Sequence, residues 1–254
     1  MTERIIWGKN AVREALAANQ KVREILVTDA GSPLAKMAAQ AGARVRVVDR
    51  QTLDKVVQEV ARGLGLHQRS NAHQGVVAML EGRRLLGLDG LLEWIGSVPE
   101  GHLALGVAVD SLQDPHNLGA IVRTGDAVGV DFVMVPSRRS VGITPAVAKT
   151  SAGAVEHVRV VEVVNLRQSL VRLKDAGLWV MGLDEEARIT LWEADFKVPL
   201  VLVVGGEDKG ISRIVKEECD VLVRIPMVGR VHSLNASVAA AIAMYEVLRQ
   251  RTAL

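Results

Sequence analysis

Cysteine is almost absent from this 254-residue chain, since Cys219 is the only one. A single cysteine excludes an internal disulfide and a cysteine-rich metal site. We interpret Cys219 as a small, half-buried structural residue rather than as a catalytic thiol. The six histidines lack the close spacing of a zinc motif, and no carboxylate cluster suggests a cation site. We therefore expect no metal.

Aromatic residues make up only 3% of the chain, so base stacking on aromatic side chains is not expected to dominate any nucleic-acid binding. No apolar run approaches the roughly 18 to 20 residues that a membrane-spanning helix requires. The first ten residues do not have the pattern of a signal peptide. The sequence thus predicts a cytoplasmic protein without a membrane segment.

Several common catalytic motifs are also missing. No strand is followed by G-x-G-x-x-G with an acidic residue about 20 positions further on, and there is no G-x-x-x-x-G-K-[ST] phosphate loop. The G-x-S-x-G turn of serine hydrolases is absent as well. These absences argue against a dinucleotide-dependent dehydrogenase, a P-loop enzyme and a serine hydrolase.

The net charge of +2 is unevenly distributed along the chain. Residues 1–80 contain 12 lysines and arginines against 7 acidic residues, an excess of +5, whereas the remaining residues carry −3. This asymmetry is typical of a polyanion-binding module joined to a catalytic module, although ordinary surface charge produces the same numbers.

Two series of alternating strand and helix patterns predict two α/β domains. Residues 1–80 form the first series, and residues 81–101 read as a linker with a short helix near Leu91 to Ile95. Residues 102–254 form the second series. Its strands are almost continuously apolar, which predicts a parallel sheet covered on both faces. An alanine-rich helix from Ala236 to Leu248 is apolar nearly all round, so we expect it to be buried.

Three polar, glycine-containing loops follow strands of the second series, at 110–124, 205–211 and 225–237. Ligands of parallel sheets bind at the carboxyl ends of the strands, where such loops meet. Glycine lets a backbone approach a ligand closely. The three loops together therefore predict a ligand site, and the short polar side chains before the last helix also suit an N-cap.

The motifs N-L-G-A-I-V-R-T at 117–124, G-G-E-D-K-G-I at 205–211 and I-P-M-V-G-R-V-H-S-L-N-A-S-V-A at 225–239 resemble, in this order, those of the SpoU (TrmH-like) RNA ribose 2′-O-methyltransferases. An early G-K-N-A-V-x-E-A-L and a later H-Q-G-V-V-A are similar to the small ribosomal-protein-like substrate-binding domain of many such enzymes. The resemblance covers nearly the whole chain.

This resemblance implies an α/β catalytic domain with a C-terminal trefoil knot that holds S-adenosylmethionine, and a homodimer packed through that domain. By motif, the backbone at Gly205, Ile225 and Leu234 is expected to bind the cofactor. The residues expected at the reaction centre are Arg123, Asn117, Glu207, Ser233 and Asn235. Several of them have structural alternatives: the two asparagines can cap helices, and Glu207 can pair with Lys209 or Lys149.

Arg123 occupies the position of the family's catalytic arginine. Because a guanidinium stays protonated, we favour a role in binding the phosphate beside the target ribose over a role as general base. The two-domain layout resembles that of the bacterial rRNA enzymes of this family rather than that of the shorter tRNA enzymes, and this resemblance implies a guanosine of 23S rRNA as the substrate. A tRNA or another rRNA nucleotide remains open, as does an RNA-binding or ribosome-assembly protein that has lost methylation.

Overall fold

A computed structural model of the chain describes residues 4–18, 20–63, 73–80, 86–138, 140–207, 209–230 and 233–252. The strands are β1 Arg4–Trp7, β2 Val22–Val27, β3 Arg44–Val47, β4 Val76–Leu80, β5 Leu105–Asp110, β6 Phe132–Pro136, β7 Arg159–Val163, β8 Trp179–Leu183, β9 Ile189–Thr190, β10 Leu200–Gly205 and β11 Val221–Arg224. The α-helices are α1 Lys9–Ala17, α2 Pro33–Gln40, α3 Arg50–Gly63, α4 Leu88–Ser97, α5 Pro115–Val128, α6 Pro145–Thr150, α7 Leu166–Asp175, α8 Arg213–Lys216 and α9 Ala236–Thr252. No helix in these described ranges is long and apolar enough to cross a membrane.

The chain divides into two compact units. The first comprises residues 1–84 together with 143–157, and the second comprises 85–142 and 158–254. The second segment of the first unit contains α6 and a short 3₁₀ helix, Ala154–Glu156. The predicted domains did not include this segment in the first domain. The predicted limits at residues 80 and 102 stay predictions.

The first unit contains a four-stranded sheet in the order β1-β4-β2-β3. Strand β4 runs antiparallel to β1 and β2, whereas β2 and β3 are parallel. Helix α2 begins where Ser32 Oγ accepts a hydrogen bond from Ala35 N–H, with Pro33 in the first helical position. Trp7 and Leu53 are fully enclosed in its core. The predicted α/β character of this part is confirmed.

The second unit is built on a seven-stranded sheet in the order β7-β6-β5-β10-β8-β11-β9, and every neighbouring pair is parallel. All six residues of β5 are buried, as its continuous apolar sequence predicts. The fold class, α/β with a parallel sheet, is therefore confirmed. The trefoil knot stays a prediction, because strand order alone does not define how the chain is threaded.

The strand order reverses direction at β5. From β5 the chain proceeds through β6 to β7 on one side, and β8, β10 and β11 then lie on the other side. Such a reversal opens a crevice beyond the carboxyl ends of the central strands, where parallel sheets bind their ligands. The loops that follow β5, β10, β8 and β11 meet at this end of the sheet.

Candidate active site

A cleft of about 430 Å³ lies at the carboxyl ends of β8, β10 and β11. The three residues predicted to bind the cofactor, Gly205, Ile225 and Leu234, all line it. Two of the residues predicted at the reaction centre, Glu207 and Ser233, line it as well. The structure thus brings the second and third sequence motifs to one cleft.

Two glycines allow the loops around this cleft to pack backbone against backbone. A Cβ atom at Gly205 would lie 2.0 Å from the carbonyl carbon of Gly210, and a Cβ at Gly206 would lie 2.4 Å from the carbonyl oxygen of Ser111. Backbone atoms cannot yield as a flexible side chain can, so neither position accommodates another residue without a shift of the loops. Gly205 therefore allows the loop after β10 to fold closely on itself, and Gly206 allows this loop to cross the loop after β5.

Glu207 anchors the loop after β10 to the start of α5. Its carboxylate accepts hydrogen bonds from the backbone N–H of Gln113 at 3.3 Å, from that of Asp114 at 3.4 Å, and from Asn117 Nδ2 at 2.7 Å. Burial raises the pKa of Glu207, but these hydrogen bonds outweigh burial, so the pKa lies below its ordinary value. Glu207 is thus an ionised carboxylate that accepts three hydrogen bonds. Within the described ranges it forms no ion pair with Lys209 or Lys149, the two partners considered from the sequence.

Asn117 connects Glu207 to the third motif. Its side-chain oxygen accepts a hydrogen bond from Asn235 Nδ2 at 3.0 Å, while its own Nδ2 donates to Glu207. An ionised carboxylate accepts only, which requires the amide nitrogen of Asn117 to face Glu207. We call the hydrogen-bonded chain of Glu207, Asn117 and Asn235 the polar bridge. It joins residues from all three motifs.

Asn235 also caps α9. Its Oδ1 accepts hydrogen bonds from the backbone N–H of Ser237 at 2.9 Å and of Val238 at 3.4 Å, and from Ser237 Oγ at 2.6 Å. The capping alternative for Asn235 is therefore confirmed, and it coexists with the contact to Asn117 because different atoms are used. Asn117 has no capping role, since Asp114 is the N-cap of α5.

Arg123 and Ser233 are the two candidate residues that the polar bridge does not include. Arg123 lies on α5, six residues after Asn117, and is exposed. Neither a carboxylate nor a carbonyl binds its guanidinium within the described part of the chain. Ser233 is exposed on the wall of the cleft. Arg123 is thus available to a ligand that approaches from solvent, but the structure does not bring it into contact with the other candidates.

Charged residues that line the cleft after β8 are not among those predicted from the sequence. Asp184 follows this strand directly, and its nearly buried carboxylate forms an ion pair with Lys216 of α8. The hydrogen bond that Lys216 donates to Asp184 raises the pKa of Lys216, and this effect outweighs burial, which lowers the pKa. The rule that ligand residues follow parallel strands would have identified Asp184. Lys209, two residues after Glu207, also lines the cleft.

Cys219, the cysteine singled out in the sequence, is half-buried beside the sheet. Burial raises the pKa of the Cys219 thiol to about 12, and this thiol donates to the carbonyl oxygen of Val215 at 3.4 Å. This environment suits the predicted structural role, because reactive cysteines require a lowered pKa. The described ranges contain no group of three or more histidine, cysteine or acidic side chains that could hold a metal ion.

Two protein families match the chain. The SpoU rRNA methylase family matches residues 104–245, and the substrate-binding domain of RNA 2′-O ribose methyltransferases matches residues 5–63. The first match includes every candidate site residue and covers more than half of the chain. The chain is therefore an RNA methyltransferase.

Relatives at full length support the same assignment. A Bacillus subtilis protein, YacO, whose name places it among TrmH family tRNA/rRNA methyltransferases, is 41% identical over 97% of this chain and 95% of its own length. The chain belongs to the SpoU, or TrmH-like, family of RNA methyltransferases. The family predicted from the three motifs is confirmed.

Solved structures share the fold over nearly the whole chain. The SpoU methyltransferase AviRb from Streptomyces viridochromogenes, crystallised in complex with AdoMet, is 25% identical, with a TM-score of 0.80 over 99% of this chain and 92% of its own. An RNA 2′-O ribose methyltransferase is 28% identical, with a TM-score of 0.75 over 98% of this chain and 89% of its own.

Proposed function

We propose that this protein transfers a methyl group from S-adenosylmethionine to a ribose 2′-OH of ribosomal RNA, at a guanosine of 23S rRNA. The observation that carries the proposal is the polar bridge beside the cleft, because it connects residues of all three motifs at the carboxyl ends of the central strands. The full-length match to relatives of the same family supports it.

The cleft suits S-adenosylmethionine in size and in chemistry. Gly205, Ile225 and Leu234 line it, and the backbone of Gly205 packs closely against that of Gly210 in the same wall. Pockets for small ligands measure about 300 to 1,000 Å³, and this cleft falls within that range. When bound, the cofactor supplies an electrophilic methyl group on a sulfonium. The related AviRb binds AdoMet, which favours the same ligand here.

Arg123 is proposed to bind the phosphate next to the target ribose. A guanidinium stays protonated and presents a planar fork of N–H donors, which matches the geometry of a phosphate. In that position it would also stabilise the negative charge that develops on the 2′-oxygen as the hydroxyl proton passes to solvent. The exposed position of Arg123, without an ion-pair partner among the described residues, suits this role.

The polar bridge is proposed to position the reaction centre. Glu207 fixes the start of α5, the helix that carries Arg123, and Asn235 fixes the start of α9. Rate depends steeply on the placement of reacting groups, so these contacts preserve the geometry that Arg123 and Ser233 need. Ser233, exposed on the cleft wall, would donate a hydrogen bond to the ribose or to the cofactor.

The first unit is proposed to bind RNA. It contains the match to a substrate-binding domain at residues 5–63, and residues 1–80 carry the basic excess of the chain. Arg44 and Arg46 lie on β3, an outer strand of its sheet, and their side chains are 78% and 56% exposed. Both guanidiniums share one carboxylate, that of Glu24 on β2, at 3.9 and 3.7 Å, so the pair keeps a net positive charge. Basic side chains at a sheet edge suit phosphate contacts with RNA.

We further propose that the protein forms a homodimer through α9. One side of this helix packs on α5 within the second unit, but Val238 and Tyr245 are 46% and 54% exposed. These two residues are seven positions apart and so lie on the same helix face. The sequence of α9 is apolar nearly all round and predicts a helix that is buried on every side. A second copy of the protein packed on this face would bury the part of α9 that is exposed in the monomer.

A methyl-transfer assay tests the proposed function. The purified protein is incubated with radiolabelled S-adenosylmethionine and, separately, with 23S rRNA, 16S rRNA and tRNA lacking native modifications. We expect label in 23S rRNA, released by hydrolysis as 2′-O-methylguanosine. Label in tRNA or at another nucleotide would replace the proposed substrate. The absence of label in all three, with intact RNA binding, would instead indicate a non-catalytic RNA-binding protein.

A further inference from the structure

Two lysines, Lys209 and Lys216, line the cleft, and they differ in their partners. Lys216 forms an ion pair with Asp184, whose side chain is only 7% exposed. Diverting Lys216 to a ligand would leave this nearly buried carboxylate without its counter-charge, which is unfavourable. Lys216 is therefore committed to the protein.

Lys209 has no such commitment. It is exposed, and none of the carboxylates in the described ranges lies within ion-pair distance of its ammonium group. Its turn is closed by Gly206 and Gly210, which pair as a short antiparallel bridge with Gly210 N–H donating to Gly206 O at 3.1 Å. Glu207 fixes the same turn to α5. The backbone thus holds, at the side of the cleft where the polar bridge lies, a cation that is not paired with any carboxylate in the described part of the chain.

We propose that Lys209 binds the carboxylate of the amino-acid part of the cofactor. This inference rests on the proposed function, since it assigns one residue to one end of S-adenosylmethionine. The amino-acid part is attached to the same sulfur as the reactive methyl group, so its carboxylate must lie near the reaction centre. Lys209 is two residues from Glu207 and is the cation in the described cleft wall that has no protein partner.

The test compares two ligands that differ at the amino-acid part. S-adenosylhomocysteine contains this part, whereas 5′-methylthioadenosine shares the adenosine and the sulfur but has a methyl group in its place. Calorimetry of the full-length protein gives the Kd of each ligand for the wild type and for Lys209→Ala and Lys209→Arg. Lys197→Ala, at another exposed lysine of the second unit, is the matched control.

Lys209→Ala is expected to weaken the binding of S-adenosylhomocysteine about tenfold, which corresponds to the loss of one charge-assisted hydrogen bond. The affinity for 5′-methylthioadenosine should stay unchanged. Lys209→Arg should retain most of the affinity, and Lys197→Ala all of it. Unchanged S-adenosylhomocysteine binding by Lys209→Ala would overturn the inference, and so would an equal loss for both ligands. A wild type that binds neither ligand nor S-adenosylmethionine would instead contradict the proposed function itself.

Discussion

Arg123 differs from the other candidate residues because no contact within the described structure holds its side chain. The polar bridge residues are fixed by hydrogen bonds of 2.7 and 3.0 Å, whereas Arg123 is exposed on the same helix as Asn117. Because no described protein group holds the guanidinium of Arg123, no ion pair has to be broken when an RNA phosphate binds it. Its order is therefore expected to come from the substrate.

Replacing Arg123 with alanine should lower methyl transfer by at least about 100-fold, the loss typical when a group that stabilises developing charge is removed. S-adenosylmethionine affinity should stay within about twofold of the wild type, because Arg123 does not line the cleft. Single-turnover assays and calorimetry measure the two quantities. Arg123→Lys, which keeps the charge but loses the planar fork, should retain intermediate activity. Full activity of Arg123→Ala would remove this residue from the mechanism.

Glu207 makes a testable contribution to pH-dependent stability. Burial raises its pKa, and the hydrogen bonds from Asn117, Gln113 and Asp114 lower it further than burial raises it. A carboxylate with a lowered folded-state pKa stabilises the fold above its unfolded pKa of about 4.5 and loses this contribution as the pH falls through the folded value.

Urea denaturation between about pH 6 and pH 3 measures this contribution. The free energy of unfolding should fall less steeply with acidification in Glu207→Gln than in the wild type, because glutamine cannot be protonated in that range. Identical slopes for the two proteins would show that the hydrogen bonds to Glu207 do not stabilise the fold.

At the scale of single elements, the start of α9 serves both stability and the site. Replacing Asn235 with alanine removes the N-cap and should lower the free energy of unfolding by about 1 kcal/mol. It also removes the hydrogen bond to Asn117, so methyl transfer should fall as well.

Asn235→Ser separates the two roles. Serine caps a helix nearly as well as asparagine but has no side-chain amide to donate to Asn117. This variant should recover stability without recovering activity. Recovery of both, measured by urea denaturation and methyl transfer, would assign Asn235 to capping alone.

The sequence predicted this element and its cap, but it could not predict the polar bridge. An asparagine before an apolar helix is a local signal, whereas Asn117 contacts partners 90 and 118 residues away. Such contacts depend on which loops the sheet brings together. Apart from the resemblance of the three motifs to a known family, the sequence indicated them only through the rule that ligands bind at the carboxyl ends of parallel strands. The sequence also could not predict that residues 143–157 belong to the first unit. A short apolar segment can pack on either of the two units, and its sequence does not show which.

At the scale of the whole molecule, this attachment affects how RNA binding should be tested. Deleting residues 1–80 would expose α6, in which Ala146, Val147 and Ala148 are buried. A charge reversal at β3 is a better experiment. The double variant Arg44→Glu with Arg46→Glu should weaken RNA binding and leave S-adenosylmethionine affinity unchanged. The slope of log K for RNA against log salt concentration should become shallower by about one to two units, one for each phosphate contact that is lost.

Filter binding at several salt concentrations, with calorimetry for the cofactor, measures both quantities. Lys197→Glu provides a charge-reversal control in the second unit. RNA affinity of the β3 double variant equal to that of the wild type would place the RNA-binding surface elsewhere.

The proposed dimer makes a prediction at the same scale. Tyr245→Glu places a charge on the exposed apolar face of α9 and should convert the dimer to a monomer, as measured by analytical ultracentrifugation. Its circular dichroism spectrum should match that of the wild type, because Tyr245 is outside the core of the second unit. A wild type that sediments as a monomer would contradict the proposed assembly.

The central claim, methylation of a ribose 2′-OH in 23S rRNA by this site, is tested most directly by mapping 2′-O-methyl groups across the ribosomal RNA of a deletion strain. We predict that one guanosine of 23S rRNA loses its methyl group, that the wild-type gene restores it, and that the Arg123→Ala gene does not. An unchanged methylation map in the deletion strain would contradict the claim.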